Sequence, residues 1–201
     1  MRSTKENIIS VSKQLFHEFG IANTRLQQIA DAAEISVGNL VYHYKNKDAI
    51  VEAVYNNLFT ELTAILSQYA FNYELHGFDR LFSAMYRFYD ANKLAFNNQW
   101  EIHRNYTQIQ QEWLTTSNKI TLQIKKRLEY CAANDLINDE SGKTNFDTLS
   151  QSISLVMHNW MPQQCLRGKV HTELLYKRAL WGIILPLLTQ KGKTALESKI
   201  G

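Results

Sequence analysis

Between Thr24 and Lys47 the sequence reads TRLQQIADAAEISVGNLVYHYKNK, and its second half holds the side chains best suited to meeting another molecule. Read as a short helix from Val37 to Tyr44, it can turn Leu40 inward, which leaves Val37, Gly38, Asn39, Tyr42 and His43 outside. Two small residues at the N-terminal end let such a helix approach base edges closely. The amide, phenol and imidazole that follow are hydrogen-bonding groups placed where phosphates would lie. In a helix-turn-helix the N-terminal residues of the second helix read the major groove. The same spacing also fits a short solvated connector in an all-helical protein.

The elements that must position this face follow from the neighbouring residues. Thr24 with Gln27 has the spacing of a capping box, and Leu26, Ile29, Ala30 and Ala33 then line one helical face. Ile35 lies in the turn, where it can plug the angle between two helices, and Ser36 is placed to cap the second helix. Upstream, Ser3 and Glu6 form another S-x-x-E box, and Ile8, Val11/Ser12, Leu15 and Phe19 recur at helical spacing. They predict a bracing helix over residues 4–19, ended by Gly20 and closed by Ile21.

The words I-A-x-x-A-x-I-S-x-G-N-L-x-Y-H-Y-x-N-K resemble the DNA-binding signature of the tetracycline-repressor (TetR) family of bacterial regulators, ungapped from about Lys5 to Val54. The resemblance implies an N-terminal three-helix helix-turn-helix domain over 1–46 and a helical ligand-binding and dimerisation domain over 47–201. By position it also implies Thr24 at a phosphate, Gln27 facing the groove, Val37, Gly38 and Asn39 nearest the bases, and Ser36 among the DNA-binding residues. Tyr42, His43 and Lys47 would hold the DNA backbone. Two positions depart from the family pattern. Glu34 stands where glycine is usual, and Val41 where a phosphate-bonding tyrosine is usual. A left-handed backbone at Glu34 would cost roughly 1–2 kcal/mol.

Composition narrows the classes. Two prolines and eight glycines in 201 residues, with few strand-like alternations, favour an all-α chain. The net charge of +3 does not itself argue for nucleic acid. Cys131 and Cys165 lie far apart, with no C-x-x-C, and read as small buried thiols rather than a disulfide or metal pair. No apolar signal region opens the chain, and the longest apolar run, Ala179–Leu188, is too short to span a bilayer. These features lead us to expect a cytoplasmic protein with no cofactor, metal or membrane partner. No nucleophile elbow, P-loop, HExxH or metal-spaced His/Cys set is present, which argues against an enzyme.

Beyond Asn46, a cap for a fourth helix, one stripe runs Ile50, Val54, Leu58, Leu62, Ile65/Leu66, Tyr69. His76-Gly77 reads as a break, with Asp79 capping helix five, and a short irregular helix lies between Ala91 and Tyr106. Helix seven carries Ile109, Trp113, Ile120, Ile124, Leu128 and Ala132 on one face, and Asn134–Thr144 reads as loop, with Asp139 and Glu140 solvated in it. Helix eight spans 146–165 on Phe146, Leu149, Ile153, Val156 and Trp160, kinked or ended by Pro162. Tyr86, Tyr89, Trp100, His103, Tyr106, Trp113 and His158 join apolar bodies to polar tips, as small-molecule sites require, although ordinary core packing explains aromatics equally well.

Helix nine, 172–189, is apolar almost all round, which calls for cover from a second chain, and the tail beyond Gln190 reads as polar and frayed. A two-fold pair through 146–165 and 172–189 would match a palindromic double-stranded DNA operator. The expected function is therefore a homodimeric repressor released by a small-molecule inducer of unstated chemistry, repression being what the family implies. The alternatives are a helical dimer that binds a protein partner without operator recognition, and an enzyme using the helical-body cavity.

Overall fold

The computed structural model describes residues 3–96, 99–139 and 144–197, with backbone alone at 94, 95, 99 and 100. Helices α1 (Thr4–Phe19), α2 (Leu26–Ala32), α3 (Val37–His43), α4 (Lys47–Gln68), α5 (Leu75–Phe96), α6 (Gln99–Asn105), α7 (Thr107–Ala133), α8 (Phe146–Leu166), α9 (Glu173–Ile184) and α10 (Gln190–Glu197) follow in order. Among the described residues there is no strand, only an isolated antiparallel bridge between Ile137 and Leu188. The all-α class is as the composition predicts. The chain forms two compact units, residues 1–61 with 92–113, and residues 62–91 with 114–201.

In the first unit α1 starts on the predicted capping box, Ser3 N–H to Glu6 at 2.9 Å and Glu6 N–H to Ser3 Oγ at 3.3 Å. It stops at Gly20, whose φ of 79° suits glycine, and Ile21 is buried behind it. The buried line is Ile8, Ile9, Ser12 and Phe16, whereas Phe19 is 42% exposed. Steps of four from Ile8 end on Phe16, so Phe19 falls to one side, just as the chain turns away. Helix α4 is capped by Asn46 Oδ1, which accepts from Ala49 N–H at 2.9 Å. Residues 99–105 form the separate helix α6, tied to the start of the chain where Glu101 accepts from Ile21 N–H at 3.2 Å.

The second unit corrects several expectations. Helix α5 starts at Leu75, so His76 and Gly77 lie in its first turn and Asp79 is no cap. Asp79 instead accepts from Lys177 at 2.7 Å and from the Trp181 indole at 3.1 Å, joining α5 to α9. Gly77 fits because a side chain there would meet the Asn72 carbonyl at 2.0 Å. Helix α8 runs through Pro162 to Leu166 and buries Ser150, Ile153, Ser154, Met157 and Met161. Of the predicted stripe, Ile153 is in that buried face, and Phe146, Leu149, Val156 and Trp160 are half-buried. Pro186 ends α9 early in a short 3₁₀ turn over Leu185–Leu187.

The tail then forms a helix, α10. Thr189 Oγ1 caps it by accepting from Gly192 N–H at 3.0 Å, and Gly192 lies so close to Leu136 that a Cβ would meet its carbonyl at 2.1 Å. A polar sequence with one large apolar anchor, Leu196, gave no stripe to read. Cys131 is buried as expected, and Cys165 is exposed, because the last turn of α8 lies beyond its buried face. Of the predicted polar loop, Asp139 is described and Glu140 lies outside the described residues.

Candidate nucleic-acid interface

Helix α3 has seven residues, too few to stand alone in water. It is held by Leu40, its one buried residue, beside the fully buried Ile29 and Ala30 of α2. Burying a leucine contributes about 1.5–3 kcal/mol. Ser36 caps α3 by accepting from Asn39 N–H at 3.1 Å. In the turn, Ile35 N–H bonds Ala30 O at 3.0 Å, and Asn7 of α1 donates to Ala33 O at 3.1 Å, so α1 braces the turn directly.

Three of the five residues expected on the outward face are exposed. Gly38, Asn39 and Tyr42 are exposed, Val37 and His43 half-buried, and Val41 is also outside. Tyr42 is 85% exposed, with its ring edge-on to His43 at 5.2 Å. At Gly38 a Cβ would meet nothing nearer than Ser36 Oγ at 3.9 Å, and the backbone is helical. Glycine inside a helix costs roughly 0.5–1 kcal/mol relative to alanine, and nothing in the fold demands it here.

Three residues expected at the DNA have their polar atoms turned to the protein. Thr24 is only 1% exposed; its hydroxyl donates to Gly20 O at 2.7 Å and Leu15 O at 3.3 Å. It is therefore not the cap of α2. Arg25 precedes that helix, its N–H bonded to Gln28 at 2.8 Å, a box shifted by one residue. The Lys47 ammonium donates to the carbonyls of Ile21, Ala22 and Thr24 at 2.7–3.0 Å and so fixes the segment before α2. Gln27 is exposed but donates to Asp31 at 2.7 Å. Two cations missed in the sequence, Arg25 and Lys45, are exposed at the start of α2 and just after α3. Their positions beside the capping residues were the available signal.

Glu34 has φ of 57°, the left-handed region. The departure from glycine therefore carries a backbone cost, and it puts a carboxylate in the turn leading to α3. Glu34→Gly is expected to stabilise the fold by about 1 kcal/mol, read as a higher urea midpoint, and to tighten DNA binding at low salt. A lowered midpoint would contradict the strain.

The aromatic candidates for a ligand divide between the units. In the first, His103 and Trp113 line a cleft with Tyr55, Phe96, Ile102 and Ile109 that leaves about 20 Å³, room for one water. Tyr106 donates to Asp48 at 2.9 Å, and burial together with that bond holds its phenol protonated. The Trp100 side chain lies outside the described residues. In the second unit, Tyr86 donates to His171 O at 3.2 Å, and Tyr89 meets the His158 ring at 6.0 Å. His158 Nδ1 lies 2.6 Å from Ser154 O, an acceptor, so Nδ1 carries the proton.

Burial pushes the His158 imidazole down from its ordinary value. An unfolded chain then takes up a proton near pH 6.5 that the folded chain refuses. This contribution is complete above pH 6.5 and is lost as pH falls below it. Urea midpoints from pH 7.5 to 5 should drop less steeply for His158→Gln than for the natural chain; equal slopes would contradict this. Among the described residues no group of three or more His, Cys, Asp or Glu is placed to hold a metal, and no helix is long and apolar enough to cross a membrane.

Comparison with known proteins places this geometry. Residues 8–54 match the model for bacterial regulatory proteins of the tetR family. Over 50 residues the chain is 42% identical to the HTH-type transcriptional regulator RutR of Escherichia coli K12, a stretch covering 25% of this chain and 24% of RutR. The match thus spans about a quarter of that relative's length. HbdR of Aromatoleum sp. CIB, another HTH-type transcriptional regulator, is 24% identical over 206 residues, 96% of this chain and 84% of HbdR. The crystal structure of a TetR-family transcriptional regulator from Marinobacter aquaeolei VT8 has the same fold, with a TM-score of 0.82, 17% identity, and 98% and 97% of the two chains covered. Residues 8–54 thus match the tetR-family model, and the chain shares its fold along nearly its whole length with that crystal structure.

Proposed function

We propose that the protein is a homodimeric, sequence-specific transcriptional repressor of the cytoplasm, released from a palindromic double-stranded DNA operator by a small-molecule inducer. Residues 1–46 bind DNA and 47–201 bind ligand and pair two copies. Helix α3 enters the major groove. Val37, Gly38 and Asn39 face base edges, the Asn39 amide toward a base and Val37 toward a thymine methyl. Ser36, Gln27, Tyr42 and His43 flank them at the backbone with Arg25 and Lys45, while Thr24 and Lys47 hold the frame. The pairing surface is α8 with α9. These pack together through Tyr176, whose hydroxyl donates to Met157 O at 3.0 Å, and leave Leu155 and Leu174 65% and 66% exposed. The inducer acts by binding the DNA-incompetent arrangement better than the competent one.

The observation that carries this reading is Gly38, a glycine that costs helix stability, has open space around it, and lies on the exposed face of α3. Close approach of another molecule is the reason left for it. Gly38→Ala should therefore raise stability by roughly 0.5–1 kcal/mol. Gly38→Leu should fold and lose about 1–3 kcal/mol of operator affinity, measured by fluorescence anisotropy. Full affinity in Gly38→Leu would overturn the placement of α3.

A further inference from the structure

The second unit contains a groove of about 300 Å³ between the first turn of α5, the end of α7 and α10. That is the lower end of the volume of small-molecule sites. Its apolar surface comes from Leu75, Leu136 and the ring of Tyr130. Its other polar lining includes Glu74, His76 and Lys191.

Three observations give this groove a chemical preference. First, Lys191 is exposed at its wall, with its ammonium bonded to the Asn134 carbonyl at 2.9 Å and no ion pair to a carboxylate among the described salt bridges. Second, His76 Nε2 is buried and has no hydrogen-bond partner in the protein, a costly condition that a ligand atom would relieve. Third, Arg127, three residues before Tyr130 on α7, is fully buried and donates only to Gln123 and to the Tyr69 carbonyl. Burial lowers it to about 10, so it remains a cation at neutral pH with no carboxylate among its bonded partners. The positive end of the 22-residue α5 adds the same sign. Against these stands one carboxylate among the lining residues, Glu74.

We infer that this groove is a binding site for a small monocarboxylate with a short apolar body, its carboxylate held by Lys191 and His76 and its body against Leu75, Leu136 and Tyr130. The site is independent of the DNA-reading face, and its test involves no DNA. Calorimetry on the full chain with hexanoate, hexan-1-ol and hexylamine compares three heads on one body. Hexanoate should bind one per chain, at least about tenfold tighter than the alcohol, with no binding by the amine. Lys191→Met, a change at an exposed position, should weaken hexanoate by about tenfold or more and leave the fold intact by circular dichroism. Hydrogen exchange should slow at 74–77 and 134–136 when hexanoate is bound. No heat with hexanoate, equal affinity for the alcohol, or binding that Lys191→Met does not weaken would each overturn the assignment.

Discussion

Leu40→Ala is expected to abolish sequence-specific DNA binding and to cost about 2–5 kcal/mol of stability in the first unit. Leu40 is the sole buried residue of α3 and is wholly inaccessible to solvent. Removing one methine and two methyl carbons leaves a cavity behind α3, and a seven-residue helix has no internal means of holding its orientation. The loss should appear twice, as a lower urea midpoint and as operator affinity reduced toward the non-specific level. Leu40→Met, close in volume, should keep most of both. If Leu40→Ala bound operator normally, α3 would not be the reading helix.

Leu174→Asp is expected to separate the proposed dimer without unfolding the chain. Leu174 is on α9 and two-thirds exposed in a single chain, so a carboxylate there costs little until a second copy covers it. Burying an unpaired charge is then expensive, several kcal/mol per ion. Two heads on one palindrome act as linked sites, and losing the link reduces affinity by roughly 10²–10⁴-fold. Sedimentation should show a single-chain mass, circular dichroism should be unchanged, and operator binding should weaken accordingly. A dimer that survives Leu174→Asp, with Leu155→Asp equally silent, would place the pairing surface elsewhere.

What the sequence made legible depended on how local the signal was. The Ser3–Glu6 box, Gly20 and Ser36 act within a few residues, and each does in the structure what its type and spacing predict. The outward face of α3 was readable because seven residues leave little choice of direction. The start of α5 was not, because Gly77 is fitted to the Asn72 carbonyl in the turn just before the helix, and its type reads equally well as a break. Helix α10 was hidden because a distant residue, Leu136, holds it together with Thr189 more than its own pattern does. Thr24 and Lys47 show the limit for site residues. Their types suit phosphate, but backbone carbonyls of residues 15–24 take up their donors, and no sequence pattern records where a turn will aim its carbonyls. The exposed cations were passed over because Arg25 precedes the signature and Lys45 fills one of its variable positions.

On the proposed function, α3 reads an operator as one half of a two-fold pair. Selection of bound fragments from genomic DNA at ~150 mM salt, where non-specific binding is weak at ~10⁻⁴–10⁻⁶ M, tests it most directly. The expected result is one or a few inverted repeats with half-sites about one helical turn apart, lost in Leu40→Ala. Recovery of no repeat by a folded dimer, with or without added metabolites, would contradict it.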